Sequence, residues 1–325
     1  MKFACFFSSY NNYLLFDKLW FKNNESKLDN VLLFNVDCGS NEENIRYRDA
    51  ILDPLGIINL EADEDGKSTQ KHIELVDNYL TNNKIDCDWI FSFQHDCYPI
   101  QEDFWSLFEK KIQDLSQYEQ KIGCIGFKIL NIPQNTSPRS DSYGRGNIVS
   151  EITNSKHFGW YQNLPDSYER SHHFVVESAA WVAVAINRNL FKESIILDHD
   201  FYLNLWCDDV SHQFNNKNIA TVTFPDLVMH HDSAAKNILG IPNSPEKTGF
   251  HNSDNKAFNH HYFWKRKYGW RWGMRDGPGA ELRDPRDDFS LVLNNYKGTI
   301  NYALYNRAIS DGPISMDKLE ELLEQ

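Results

Sequence analysis

The chain has 325 residues, 41% of them apolar and 14% aromatic, and its 33 Lys and Arg against 46 Asp and Glu leave a formal charge of -13. That aromatic content excludes a disordered chain, and a mean hydropathy of -0.58 excludes an integral membrane protein. Apart from Lys265-Arg266-Lys267 no stretch concentrates base, which argues against nucleic acid as a main partner.

In chain order, Phe3 to Phe7 is a short apolar run that turns polar at Ser8. It is too short for a signal sequence and reads as a first strand. Residues 13 to 21 carry helical spacing, and Val31 to Val36 is a near-continuous apolar strand, so the three make a βαβ unit. A second unit follows, with a strand over 57–60, a helix over 69–80 on which Ile73, Val76 and Leu80 recur, and a buried strand over 89–93. Strands alternating with helices predict a mostly parallel sheet whose ligands gather at the carboxyl ends of the strands. A helix over 104–115 and a strand over 123–130 come next.

Residues 131 to 172 are polar and punctuated by Pro133, Pro138, Gly144 and Gly146, a long loop over a site. Apolar character returns over 174–186. A strand spans 219–224, and 226–230 approaches another. Beyond a loop-like 232–256 lie an aromatic and basic helix, a Gly, Pro and Asp-rich stretch, and a short acidic helix at 316–323. The six cysteines are scattered without a CxxC pair, as in a reduced cytosolic chain.

Chemistry-bearing residues sit just past the strand ends: Ser8-Ser9-Tyr10-Asn11, Asp37-Cys38-Gly39-Ser40-Asn41 and Gln94-His95-Asp96-Cys97. A Tyr face stacks on a base, one carboxylate accepts from a base or ribose, and another holds a divalent cation against a diphosphate. Asp-x-Gly-Ser is also ordinary turn chemistry, and Asp208-Asp209 also suits the solvated first turn of a helix. Of three His pairs, at most one member of each serves as a ligand on a strand, because neighbours face opposite sides. Gly66-Lys67-Ser68 is not a phosphate loop, because Glu61 stands where Gly is required and acidic neighbours repel phosphate. No HExxH or Cys/His cluster supports a zinc hydrolase.

Taken in order, Ser9-Tyr10-Asn11, Val36 to Asn41, Trp89 to Asp96, Trp206-Cys207-Asp208-Asp209-Val210 and Pro225 to His231 resemble the GT-A glycosyltransferases of the family 2 type, in their rhamnosyl- and glucosyltransferase-like branch. The resemblance implies an α/β fold, a Rossmann-like mostly parallel sheet flanked by helices, over residues 1–270. Residues 271–325 would form a C-terminal helical and loop extension.

It implies nucleotide contacts from Ser9, Tyr10, Asp37, Ser40, Gln94 and His95, and a Mn²⁺ or Mg²⁺ ion on Asp96 and His230, with His231 as the fallback. Asp209 would be the general base beside Asp208. Ala180 and Trp181 would face the acceptor, with Ala-Ala where the family commonly has Gly-Ala. Gln94 stands where the first Asp of DxD belongs and supplies no charge, which weakens the expectation of metal. The implied activity is an inverting transfer from a nucleoside diphosphate sugar to a glycan or lipid-linked glycan, in the cytoplasm, for polysaccharide synthesis. The basic segment Tyr262 to Trp270 suits an anionic inner membrane face, though a helix end with cations near its C-terminus explains it equally. Two other readings stay open: a nucleotidyltransferase, which lacks here its basic phosphate loop, and a non-catalytic nucleotide- or glycan-binding protein, which Gln94 favours.

Overall fold

The computed structural model describes residues 2–24, 28, 30–62, 69–116, 121–131, 141–142, 145–148, 174–179, 182–198 and 206–232. They form one sheet of eleven strands. Its first half is built from β1 (Phe3–Ser9), β2 (Val31–Asp37), β3 (Ile58–Glu61) and β4 (Trp89–Phe93), all parallel, in the order β3-β2-β1-β4. Next to β4 lies β10 (Ala183–Asn187), antiparallel to both β4 and β6 (Ile122–Asn131). Beyond β6 come β11 (Ala220–His231), β9 (Phe174–Ser178) and β8 (Arg145–Ile148). Two short strands lie off this path: β5 (Cys97–Pro99) pairs with β11, and β7 (Asp141–Ser142) pairs with β6. The α/β class and the parallel first half are as the sequence predicts.

Strand alternation sorts the core onto two faces. Phe3, Cys5, Phe7, Trp89, Phe91 and Phe93 point to one face. They meet α5 (Phe104–Leu115) and an N-terminal helical segment made of α1 (Tyr13–Leu15), a π-helical turn (Phe16–Phe21) and α2 (Lys22–Asn24). Aromatic edges fill this layer, with the Phe91 ring 4.9 Å from Phe108 and 5.0 Å from Trp105. Ala4, Phe6, Phe34, Val36 and Ile90 point the other way, against α4 (Thr69–Asn82), α6 (Arg188–Ser194) and α7 (Trp206–Asn216).

Three local differences from the sequence reading have physical causes. Helix α3 (Glu42–Ile51) was not anticipated: no apolar side chain in it is fully buried, so it carries no hydrophobic stripe to read. It is marked by Asn41, whose side chain caps the Asn44 N–H at 3.0 Å. The two strand fragments expected over 219–230 are one strand, β11. Its ladder to β6 shifts register between Phe224 and Val228, where Pro225 and Asp226 interrupt the pattern. Strand β5, only three residues long, gives no periodic signal. The segments 151–173 and 233–325, including the expected C-terminal extension, lie outside the described residues.

All six cysteines are buried. Among the described residues no helix is long and apolar enough to cross a membrane.

Candidate functional site

In the parallel half of the sheet the carboxyl ends stand level, with Ser9 opposite Asp37 and Asp37 opposite Glu61. Alternation then decides which polar side chains meet. Ser9, Asn35 and Asp37 share the face covered by the N-terminal helical segment, and Tyr13 of that segment reaches them. The Tyr13 hydroxyl donates to Asp37 Oδ2, while Asn35 Nδ2 donates to the Tyr13 oxygen at 3.1 Å and to Asn59 Oδ1 at 3.1 Å. Ser9 Oγ donates to Asn35 Oδ1.

Asp37 is 5% exposed, and its Oδ1 accepts the Gly39 and Ser40 N–H groups, both at 2.9 Å. Gly39 sits at φ 85°, the left-handed conformation that lets the turn fold back onto the carboxylate. Asp37 is thus both a turn residue and a member of a buried polar network. Burial first, then the hydrogen bond to Asp37, push the Tyr13 hydroxyl well above the usual tyrosine range, so it remains a donor.

The turn after β1 locks onto the turn after β2. Asn11, at φ 53°, donates its N–H to Ser40 Oγ at 3.0 Å and accepts the Asn41 N–H on its Oδ1 at 2.8 Å. Tyr10 is held next to it by its N–H to Asn12 Oδ1 at 3.1 Å, with its ring half-buried. His95, following β4, is buried and grips the turn after β1 at two points: Nε2 lies 2.8 Å from Ser9 Oγ and Nδ1 3.0 Å from Asn12 Nδ2. Ser9, Tyr10, Asp37, Ser40 and His95 therefore converge at one corner. His95 ties the end of β4 to the turn after β1 through both ring nitrogens. Gln94, partly exposed beside it, fixes its backbone N–H on Val182 O at 3.0 Å.

Asp96 lies one residue before β5, and its partner is His231, whose Nε2 stands 3.7 Å from Asp96 Oδ1. His230 is turned to Tyr98, with Nδ1 3.1 Å from the hydroxyl. Register accounts for the second contact, since β5 and β11 pair His230 with Tyr98 and His231 with Cys97, whereas Asp96 lies outside that ladder in the turn before β5, its backbone O accepting the Asp232 N–H at 2.7 Å. Among the described residues no three His, Cys, Asp or Glu side chains gather to hold a metal ion. A carboxylate and an imidazole at this spacing, 16% and 19% exposed, do fit a two-donor seat for Mn²⁺ or Mg²⁺ whose remaining positions go to water and phosphate oxygens.

Asp208 and Asp209 fall in the first turn of α7, where the helix dipole favours carboxylates, but this turn is not solvated. Asp208 is 3% and Asp209 0% exposed. Asp209 Oδ2 accepts from Gln70 Nε2 of α4 at 2.8 Å and from Gln213 Nε2, one turn along α7, at 3.0 Å. Two residues beyond Gln70, His72 reaches the strand-end turns: Nδ1 is 2.6 Å from Ser8 Oγ and Nε2 3.6 Å from Cys38 Sγ. The first turns of α4 thus link the carboxylate of α7 to the corner built around Asp37. Ala180 and Trp181 lie outside the described residues, as do the His172-His173 and His260-His261 pairs.

Sequence reasoning missed Tyr13, Asn35, Gln70 and Gln213. Asn35 did carry a signal, a polar residue inside an otherwise apolar strand that has to find buried partners.

No protein-family model and no curated protein matches the sequence. Among solved structures the chain is similar to GalNAc-T7, crystallised with UDP, GalNAc and Mn²⁺. The identity is 11% and the TM-score 0.51, over 96% of this chain and 58% of that one. It is also matched to residues 1–349 of S. aureus TarS in complex with UDP-GlcNAc, at 11% identity and a TM-score of 0.45, over 91% of this chain and 80% of that one. The chain thus spans less than two thirds of the GalNAc-T7 structure. The fold is the GT-A glycosyltransferase fold.

Proposed function

We propose that the chain is a nucleotide-sugar-dependent glycosyltransferase of the family 2 type, moving a sugar with inversion from a nucleoside diphosphate to an acceptor hydroxyl. The observation that carries this reading is the corner at the carboxyl ends of β1, β2 and β4, where the turn that carries the half-buried Tyr10 is locked onto the turn that orients the Asp37 carboxylate. Tyr10 supplies a stacking face for the base, and Asp37 accepts from the nucleoside. Asp96 and His231 are the residues that would hold a divalent cation, whose charge offsets that of the departing diphosphate.

In the transfer itself, the acceptor oxygen bonds to the anomeric carbon as the bond from that carbon to the diphosphate oxygen breaks. Asp209 takes the hydroxyl proton. Trp181 is the platform for the acceptor ring. The GalNAc-T7 and TarS structures hold UDP or a UDP-sugar, which makes uridine nucleotides the first donors to test.

Thermal shift with a panel of nucleotide sugars, with and without Mn²⁺, tests the donor side: a bound donor raises the midpoint by mass action. A metal-dependent rise with one sugar nucleotide supports the transferase reading and identifies the donor, and no rise with any of them overturns it. For the base, Asp209→Asn is expected to abolish transfer while nucleotide affinity stays within about twofold, as for a group that acts only in the transition state. The complete burial of Asp209 favours a second reading, a structural carboxylate, under which the same variant loses nucleotide binding and stability together.

A further inference from the structure

We propose that Gln70 is a positioning residue for the Asp209 carboxylate, acting with Gln213 as a two-amide clamp. The inference rests on the reading of Asp209 as the general base.

The orientation of both amides is fixed by their other ends. Gln70 Oε1 accepts the Asp198 N–H at 2.7 Å, and Gln213 Oε1 accepts the Ile196 N–H at 2.8 Å. A backbone N–H only donates, so the end of each amide that meets it has to be the oxygen, which makes the other end of each the donor NH₂. The NH₂ groups reach the same carboxylate oxygen, Asp209 Oδ2, at 2.8 and 3.0 Å. Gln213 Nε2 also donates to Ile196 O at 3.0 Å, which ties that side of the clamp to the segment twice.

Two consequences follow for chemistry. Two N–H donors occupy the two lone pairs of Oδ2, so that oxygen is committed to the clamp. The carboxylate plane is also set by groups from α4 and α7 rather than by its own rotamer, the kind of support that holds a reacting group in productive geometry. Gln70 is 0% exposed, and it lies two residues from His72, which touches the Ser8 and Cys38 turns. Helix α4 thus carries both the amide that orients Asp209 and the imidazole that meets the strand-end turns.

The test uses the full chain and follows UDP release from UDP-GlcNAc and UDP-GalNAc, with water or a glycan panel as acceptor. Gln70→Met keeps the length and removes both hydrogen bonds. It is expected to lower kcat about tenfold or more, with the donor KM and the UDP dissociation constant within about twofold, as for a group whose effect appears only in the transition state. In the Asp209→Asn background the same change is expected to alter the residual rate by less than about twofold, since coupled residues do not act additively.

A kcat unchanged by Gln70→Met while Asp209→Asn is inactive overturns the clamp and leaves the base reading standing. So does an equal loss in both backgrounds, or a parallel loss of UDP affinity, either of which marks a structural role. A fully active Asp209→Asn, or no UDP release from either donor by the unaltered chain, removes the base reading and the clamp with it. Should Gln70→Met fail to fold, Gln213→Met at the partly exposed side of the clamp gives the same kcat-against-KM split.

Discussion

At Asp37 three donors converge on one carboxylate: two backbone N–H groups on Oδ1 and the Tyr13 hydroxyl on Oδ2. Such a group is ready to accept from a ligand only because the turn has already fixed its plane, and hydrogen bonds to a charged acceptor are the strong ones. The same burial that orders these side chains sets a limit at high pH. Burial pushes the Cys87 thiol up from 9.0 to about 11 and the Cys5 thiol well above its usual value, and it also raises the Tyr13 and Tyr47 hydroxyls.

Below pH 9 these groups are protonated in both the folded and the unfolded chain. As the pH climbs past 9, the unfolded thiol ionises while the folded one keeps its proton, so stability falls. Between pH 9 and 11 the loss from Cys87 alone is about 3 kcal/mol, at roughly 1.4 kcal/mol for each pH unit. Urea midpoints measured from pH 8 to 11 are expected to drop along this limb, and Cys87→Ala is expected to flatten it.

Among the elements, the seam between β6 and α7 leaves no room for a side chain at Gly123. A Cβ placed on Gly123 would stand 2.7 Å from the Phe214 ring and 2.8 Å from Ile219, closer than atoms approach. Helix α7 carries Asp209, so what presses on Phe214 also moves the candidate base. Gly123→Ala is expected to destabilise by about 1–3 kcal/mol, the usual cost of overpacking, read as a lower urea midpoint with an unchanged slope. Strand β4 and helix α5 were legible to the residue, because a near-continuous apolar run in one and an apolar face in the other are local signals. Helix α3 was not, since its sequence buries Arg48 and no apolar side chain completely.

Over the whole molecule, the two-faced core explains why an acidic chain of this composition folds around its sheet: a mainly aromatic layer on one face and aliphatic side chains with Phe6, Phe34, Phe191, Trp206 and Phe214 on the other cover both sides. Phe91 is central to the first face, fully buried and in ring contact with Phe3, Trp105, Phe108 and Phe127. Phe91→Ala is expected to cost about 3–5 kcal/mol, enough to halve the stability of a typical domain, and calorimetry checks it.

The sequence by itself determined the α/β alternation, the strand ends, and the residue types gathered there, because period and apolar runs are local properties. Ser9, Asp37 and His95 were visible for that reason. Tertiary structure alone decided that Asp96 meets His231 while His230 meets Tyr98, since only the pairing of β5 with β11 brings the turn after β4 beside this distant histidine pair. It alone also brought Gln70 to Asp209, 139 residues away along the chain, a meeting that no local spacing encodes because it depends on how two helices pack on one face of the sheet.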